Sequence, residues 1–279
     1  RFLLGFLVGA VLAVSGALLQ GLFRNPLADP GLIGVSAGAS LAAIAVIVLG
    51  NTWLGGWLAM TGEWALPIAA FLGGSGTVLL AWRIANRSGQ TAVATLLLAG
   101  IAINAVAGAA TGLLTFYAND EELRSLTFWT MGSLGHAGWD DLLVGAPFML
   151  LALLAAPLLA RPLDAFLLGE SVVGHLGYRT DTVKKVAILV VGLGVGAAVA
   201  VSGLIGFVGL VVPHLVRQLL GASHRVVLPL SALVGGTLLV AADSLARVVV
   251  APAELPIGLM MALIGGPFFL ALLLRTKVI

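Results

Sequence analysis

The chain is 279 residues long, 60% hydrophobic and only 9% charged, with a formal net charge of +2 and no cysteine. A soluble domain carries roughly 25% charged residues, so this composition, with a mean hydropathy of +1.14, excludes a water-soluble fold. The lack of cysteine also excludes disulfides, an Fe–S cluster and a thiol nucleophile.

Runs of roughly 17–25 apolar residues mark membrane-crossing helices. In chain order the sequence predicts nine, over residues 2–22, 32–50, 64–82, 92–117, 141–160, 184–202, 203–220, 227–250 and 256–274. The run from Phe2 is long enough to be a full span rather than a signal peptide. After it, residues 24–30 form a turn, because Asn25-Pro26 and Asp29-Pro30 each push the residue before proline out of the helical region. Gly31, Gly34, Ser36, Gly38 and Ala39 then open a small-residue helix suited to close packing. No charged loop divides 184–202 from 203–220, so Ser202-Gly203 with Gly206 and Gly209 must make that turn. Pro213 predicts a kinked or short helix there.

The basic residues set the orientation. With the chain beginning outside, the inner segments hold Arg24, Arg83, Arg87, Arg161, Arg179, Lys184, Lys185, Arg217, Arg225, Arg275 and Lys277, which is 11 of the 14. Arg1, Arg124 and Arg247 are left outside, and the positive-inside rule places the C-terminus in the cytoplasm. Nine spans then put Arg1 outside, which leads us to expect a further span upstream and ten in the intact protein. One polar island stands out among the apolar runs. Residues 161–185, RPLDAFLLGESVVGHLGYRTDTVKK, are basic at both ends and acidic and glycine-punctuated between. A membrane domain that keeps such a segment out of lipid keeps it for a partner. The chain as a whole, 1–279, reads as one transmembrane domain, with 161–185 as its cytoplasmic segment.

Several ordered blocks carry a family resemblance: SGALLQGLFRNPLADPGLIGVSAGASLA at 15–42, LLLAGIAINA at 96–105, FWTMGSL at 128–134, LLGESVVGHLG at 167–177, the 202–233 stretch, AADSLAR at 241–247 and AELPIGLMMALIGGPFFLALLLR at 253–275. Together they resemble the FecCD/BtuC-type permeases, the membrane subunits of type II ABC importers for heme, iron–siderophores and cobalamin. The resemblance implies an all-α BtuC-like bundle of ten transmembrane helices, nine of them present here. It also implies a homodimer in the bacterial inner membrane, two ATP-binding cassette ATPase subunits that hold ATP and Mg, and a periplasmic substrate-binding protein. It implies no cofactor and no metal on this chain, and no nucleic acid among its partners.

By the same resemblance the island forms two short helices that dock on the ATPase. Pro162 suits a first helical turn. Leu163, Phe166 and Leu167 would make one apolar face and Gly169 a stop; Val172, Val173 and Leu176 would make a second face before Gly177. Leu167, Gly169, Glu170, Val173, His175, Leu176 and Gly177 are the expected coupling residues, with Glu170 and His175 as polar contacts. The other reading is a pair of interfacial helices lying on lipid headgroups, which is also where Lys184 and Lys185 are expected to anchor.

Arg1 and Arg247 match positions where family members present arginines to glutamates of the binding protein, a pairing that the planar guanidinium fork favours. Arg247 also has an internal candidate partner in Asp243 at i−4. Arg124, beside Asp120, Glu121 and Glu122, is expected in a local surface pair. Thr91, Ala92, Val93, Ala94 and Thr95 sit where the family has its cytoplasmic gate, and their small side chains imply closure by apolar contact. Asn104, in mid-span, is expected to hydrogen-bond across helices. None of His136, His175, His214 and His224 falls at mid-depth, and Met131, Met260 and Met261 read as packing, so recognition of cargo is expected outside the membrane.

A secondary transporter would show intramembrane carboxylates or broken helices for a coupling ion. Here Asp29, Glu63, Asp120, Asp140, Asp141 and Glu254 read as turn residues and Asp243 as near a span end. The sequence has no HExxH motif and no mid-span histidine to serve a serine nucleophile, and no GxxxxGK[ST] to bind ATP. The chain is therefore expected to be a transport subunit rather than an enzyme. The RNPLADPG and TFWTMGSLGHAGW wording is most like the heme-import members, with ferric siderophore next and cobalamin after it.

Overall fold

The computed structural model describes residues 1–50, 53–87, 90–135 and 137–275. Thirteen α-helices are present among them: α1 Phe2–Phe23, α2 Val35–Leu49, α3 Gly55–Thr61, α4 Ala65–Ala85, α5 Val93–Tyr117, α6 Asp120–Met131, α7 Trp139–Ala155, α8 Ala160–Phe166, α9 Glu170–His175, α10 Thr180–Ser202, α11 Val208–Leu220, α12 His224–Val249 and α13 Ile257–Arg275. Each of the nine predicted spans falls on an apolar helix. Six helical stretches are long and apolar enough to cross a membrane, and Val35–Leu49, Val208–Leu220 and Ile257–Ala271 are shorter. A two-residue antiparallel pair, β1 Asn86–Arg87 with β2 Gln90–Thr91, links α4 to α5.

Helices α1 and α10 form the inner column. α1 is buried almost throughout, from Leu4 to Leu22, and touches α7, α10, α11 and α12. On the other side of α10 stand α4 and α2, with α5 packed against both of these. Glycine makes these contacts close. A methyl group at Gly16 of α1 would lie 1.8 Å from the Gly209 carbonyl oxygen of α11.

That contact also explains the short α11. Its N-terminus abuts α1 beyond the midpoint, so residues 203–207 descend into the bundle as an extended connection, with Gly203 and Phe207 at positive φ. At 13 residues, α11 is about 20 Å long, too short to cross a hydrocarbon core of about 30 Å. The turn expected at 203–209 is thus a half-span entry rather than a hairpin at the surface.

The turn expected after α1 is present, and its second half has a depth the sequence did not specify: residues 29–34 fold inward as a 3-10 turn, Pro30–Ile33, ended by Gly34 at φ 87. The Leu32 carbonyl oxygen approaches so closely that a methyl at Gly100 of α5 would meet it at 2.0 Å. Asn104 donates its side-chain Nδ2 to the Gly31 carbonyl at 3.0 Å, the cross-element hydrogen bond expected of it. Asn104 lies eleven residues into α5, about 16 Å along the helix. Asp29 is therefore carried into the bundle, where its carboxylate caps the 3-10 turn by accepting from Gly31 N at 2.8 Å. It lines a cavity of about 250 Å3 with Leu12, Ile205 and Gly206. Asp29, read from the sequence as a turn residue, does sit in a turn, but one carried inside the bundle: two prolines dictate a turn but not its depth.

Candidate functional site

The two ends of the bundle differ in chemistry. One gathers Arg24, Arg83, Arg161, Arg179, Lys184, Lys185, Arg217 and Arg225 with α8 and α9; the other holds Arg1, α6 and the α12–α13 connection.

At the basic end α7 runs through a 3-10 turn, Ala156–Leu159, directly into α8. The island thus begins within a helix that continues a span, and Pro162 falls in the first turn of α8 as its fixed φ allows. Leu163 and Phe166 are fully buried. On another face of α8, Asp164 accepts hydrogen bonds from Ser223 Oγ at 3.1 Å, His224 N at 2.7 Å and His224 Nδ1 at 2.8 Å. This carboxylate satisfies an orphan N–H at the start of α12 and fastens α8 to it. His224 is wholly buried, beside Arg217, which donates to the Ala17 carbonyl at 3.0 Å and bonds Gln20. Asp164→Ala is expected to cost about 1.5–3 kcal/mol, the range for hydrogen bonds to a charged group. The measurement is the midpoint of thermal unfolding in detergent.

After α8 the chain turns at Gly169, φ 113, into the six residues of α9, and turns again at Gly177, φ 85. Both turns need left-handed or otherwise strained backbone, which glycine supplies without a Cβ clash. The expected apolar faces are divided. Leu163, Phe166 and Val173 belong to the chain's own core, so Val173 is corrected as a residue that could touch a partner. Leu167, Leu168 and Leu176 remain 46%, 68% and 56% exposed. His175 is exposed, its Nδ1 2.8 Å from the Ser171 carbonyl.

Lys184 is the largest departure from the sequence reading. Expected at the headgroups, it is instead 4% exposed. Its Nζ donates to the Thr91 carbonyl at 2.7 Å and pairs with Glu170. Glu170, expected as a polar contact for a partner, is therefore engaged within the chain. Lys185 differs again, with its Nζ 5.3 Å from the centre of the Trp82 ring, a cation–π distance.

The five expected gate residues do not share one environment. Thr91 is buried and its N–H donates to Asp181 Oδ1 at 2.8 Å. Val93 and Thr95 are half-buried, and Ala92 and Ala94 are exposed.

At the opposite end Asp243 accepts from both expected arginines. Arg1 Nη2 lies 2.9 Å from Asp243 Oδ1 and Arg247 Nη2 lies 3.0 Å from its Oδ2. Arg1 Nη1 also pairs with Glu254 at 2.9 Å. Burial lowers the Arg1 pKa, but the hydrogen bonds and charges of Asp243 and Glu254 outweigh it and hold the group above its ordinary value. Arg247 keeps 44% of its side chain exposed against 21% for Arg1, so Arg247 has the freer guanidinium. Arg124 makes no ion pair among the described residues, contrary to expectation. Glu122 beside it is used in a capping box with Asn119 that starts α6. Hydropathy alone had left that helix unmarked.

Among the described residues no group of three His, Cys, Asp or Glu side chains could hold a metal ion; His136 lies outside them. Asp164, Asp181 and Gln20 were not singled out from sequence, and Arg217 was counted only among the inner basic residues. The available signal was a polar side chain inside or at the mouth of an apolar run, where an unpaired charge is too costly to persist.

Comparison with known proteins gives this arrangement a context. The profile of the FecCD transport family matches residues 1–275. The chain is 48% identical over 277 residues to the hemin transport system permease protein HmuU of Yersinia pestis, covering 99% of this chain and 81% of that one. It is 42% identical over 278 residues to the cobalamin import system permease protein BtuC of Halobacterium salinarum, covering 100% and 72%. Among solved structures it is similar to a metal-chelate type ABC transporter in an inward-facing conformation, with a TM-score of 0.89 and 35% identity, covering 99% of this chain and 85% of that one.

Proposed function

This chain belongs to the FecCD transport family, and we propose that it is the permease subunit of an ATP-driven importer whose cargo is heme. It is a multi-pass helical membrane protein. In this reading two copies form the path, two ATPase subunits bind ATP and Mg at the basic end, and a periplasmic binding protein delivers cargo at the Arg1 end. The basic end then faces the cytoplasm of a bacterial inner membrane, as the positive-inside rule requires.

The observation that carries the proposal is the pair of short helices at the basic end. Leu163, Phe166 and Val173 are buried in the core, while Leu167, Leu168 and Leu176, just past the C-terminal ends of the two helices, are exposed. Contiguous exposed apolar surface outside lipid marks an interaction site. The α8–α9 unit is also tied rigidly to the bundle, through Asp164 to α12 and through Glu170 to α10, so a push on it is delivered to the spans. At the other end, Arg247 is the residue with room to pair with a partner carboxylate, while Arg1 mainly tethers α1 to α12.

Heme is favoured because the relative at 48% identity is a hemin permease. The cobalamin and metal-chelate relatives keep those cargoes as the second reading. Titration of the cognate binding protein with hemin, a ferric siderophore and cobalamin separates them. Tight binding of hemin alone is expected, and binding of a siderophore or cobalamin without hemin would overturn the choice.

A further inference from the structure

Lys184 lies in the second turn of α10 and is almost completely buried, so its ammonium must be paired where it sits. One partner is Glu170, the first residue of α9. The other is the Thr91 carbonyl at 2.7 Å. One turn back on α10, Asp181 accepts the N–H of the same Thr91 at 2.8 Å. Both backbone polar groups of Thr91 are thus held by α10, and Ala92, the next residue, is the N-cap of α5.

Between α9 and the start of α5 there is little direct packing. A cavity of about 450 Å3 opens there, with Ala92, Val93, Thr95, Glu170, Asp181 and Lys184 in its wall. Steric contact alone therefore does not carry a displacement of α9 across to α5. The bonds of Lys184 cross that gap.

We propose that Lys184 is a coupling pin, which transmits motion of α9 to the N-terminus of α5 through Glu170 on one side and Thr91 on the other. The proposal deepens the reading of α8–α9 as the ATPase dock and rests on it. Lys184 meets neither cargo nor nucleotide; it is a positioning residue. Glu170 serves the same linkage from inside the chain, and the partner meets the exposed leucines instead.

The lack of cysteine permits a direct test in the reconstituted complex of permease and ATPase. Spin labels at Gly174→Cys on α9 and Ala94→Cys on α5, both exposed positions, report whether the two elements move together. With Lys184 present, the distance within one chain is expected to stay narrow and unchanged on ATP binding. In Lys184→Met it is expected to shift or broaden with ATP, while the ATPase still co-purifies and hemin uptake per ATP hydrolysed falls about tenfold, within the usual range of coupling between sites. Glu170→Gln, at a half-exposed position, gives the same direction with a smaller loss and serves where Lys184→Met fails to fold. An unchanged distance in both variants overturns the pin, whether uptake persists or is lost, because loss alone would mark a merely structural role. Failure of the ATPase to co-purify with the unsubstituted chain would sink the docking reading and the pin with it; co-purification with unchanged distances sinks the pin alone.

Discussion

Aspartate at Leu167, Leu168 and Leu176 together is expected to abolish association with the ATPase subunit. All three side chains are exposed and carry no packing of the chain's own core, so the substitutions leave the fold intact. At a docked interface each would place a carboxylate where an apolar side chain is received. Burying an uncompensated charge costs several kcal/mol, and truncating a well-packed interface anchor costs about 2–4 kcal/mol by itself. Three such changes exceed the stability of an ordinary subunit contact. The measurement is co-purification of the ATPase in detergent, beside a thermal unfolding curve that should match the unsubstituted chain. Retained association would remove these helices from the docking surface.

Gly16→Ala is the second large effect. The added methyl would stand 1.8 Å from the Gly209 carbonyl oxygen and 2.4 Å from its carbon, both backbone atoms that no rotamer change moves aside. Relief requires α1 and α11 to separate, and Gln20, which donates to the Gly209 and Leu210 carbonyls at 3.2 and 3.3 Å, would lose those bonds. Overpacking costs about 1–3 kcal/mol, and loss of a buried network adds to it, so a loss of at least about 3 kcal/mol is expected. Thermal unfolding of the purified chain measures it. An unchanged midpoint would contradict the close contact through which α11 enters the bundle.

The apolar spans were legible because crossing a bilayer depends on the length of an apolar run, and run length is a property of the sequence. Depth was not legible. The residues around Asn25-Pro26 and Asp29-Pro30 specify a turn equally well at the surface or inside the bundle; only Gly100 and Asn104, some seventy residues away, provide the room and the donor that draw Asp29 inward. The half-length of α11 was visible only as the odd Pro213, since its cause is the Gly16–Gly209 contact.

The functional site divides in the same way. The glycines at 169 and 177 mark where the island turns, and the chain places short helices on either side of the first. Which leucines face outward was not readable from two short runs, because Val173 and Leu176 look alike until α8 and α10 are packed beside α9. Lys184 was misread for a related reason. A lysine at the start of an apolar span reads as a headgroup anchor, and its burial depends on Glu170 and Thr91, which arrive from two other elements.

The measurement that tests the central claim most directly is cargo uptake into proteoliposomes containing this chain, its ATPase and its binding protein. The account predicts hemin accumulation that requires ATP and all three components, and that is lost with aspartate at Leu167, Leu168 and Leu176. Stable uptake by this chain alone, independent of ATP, would contradict it.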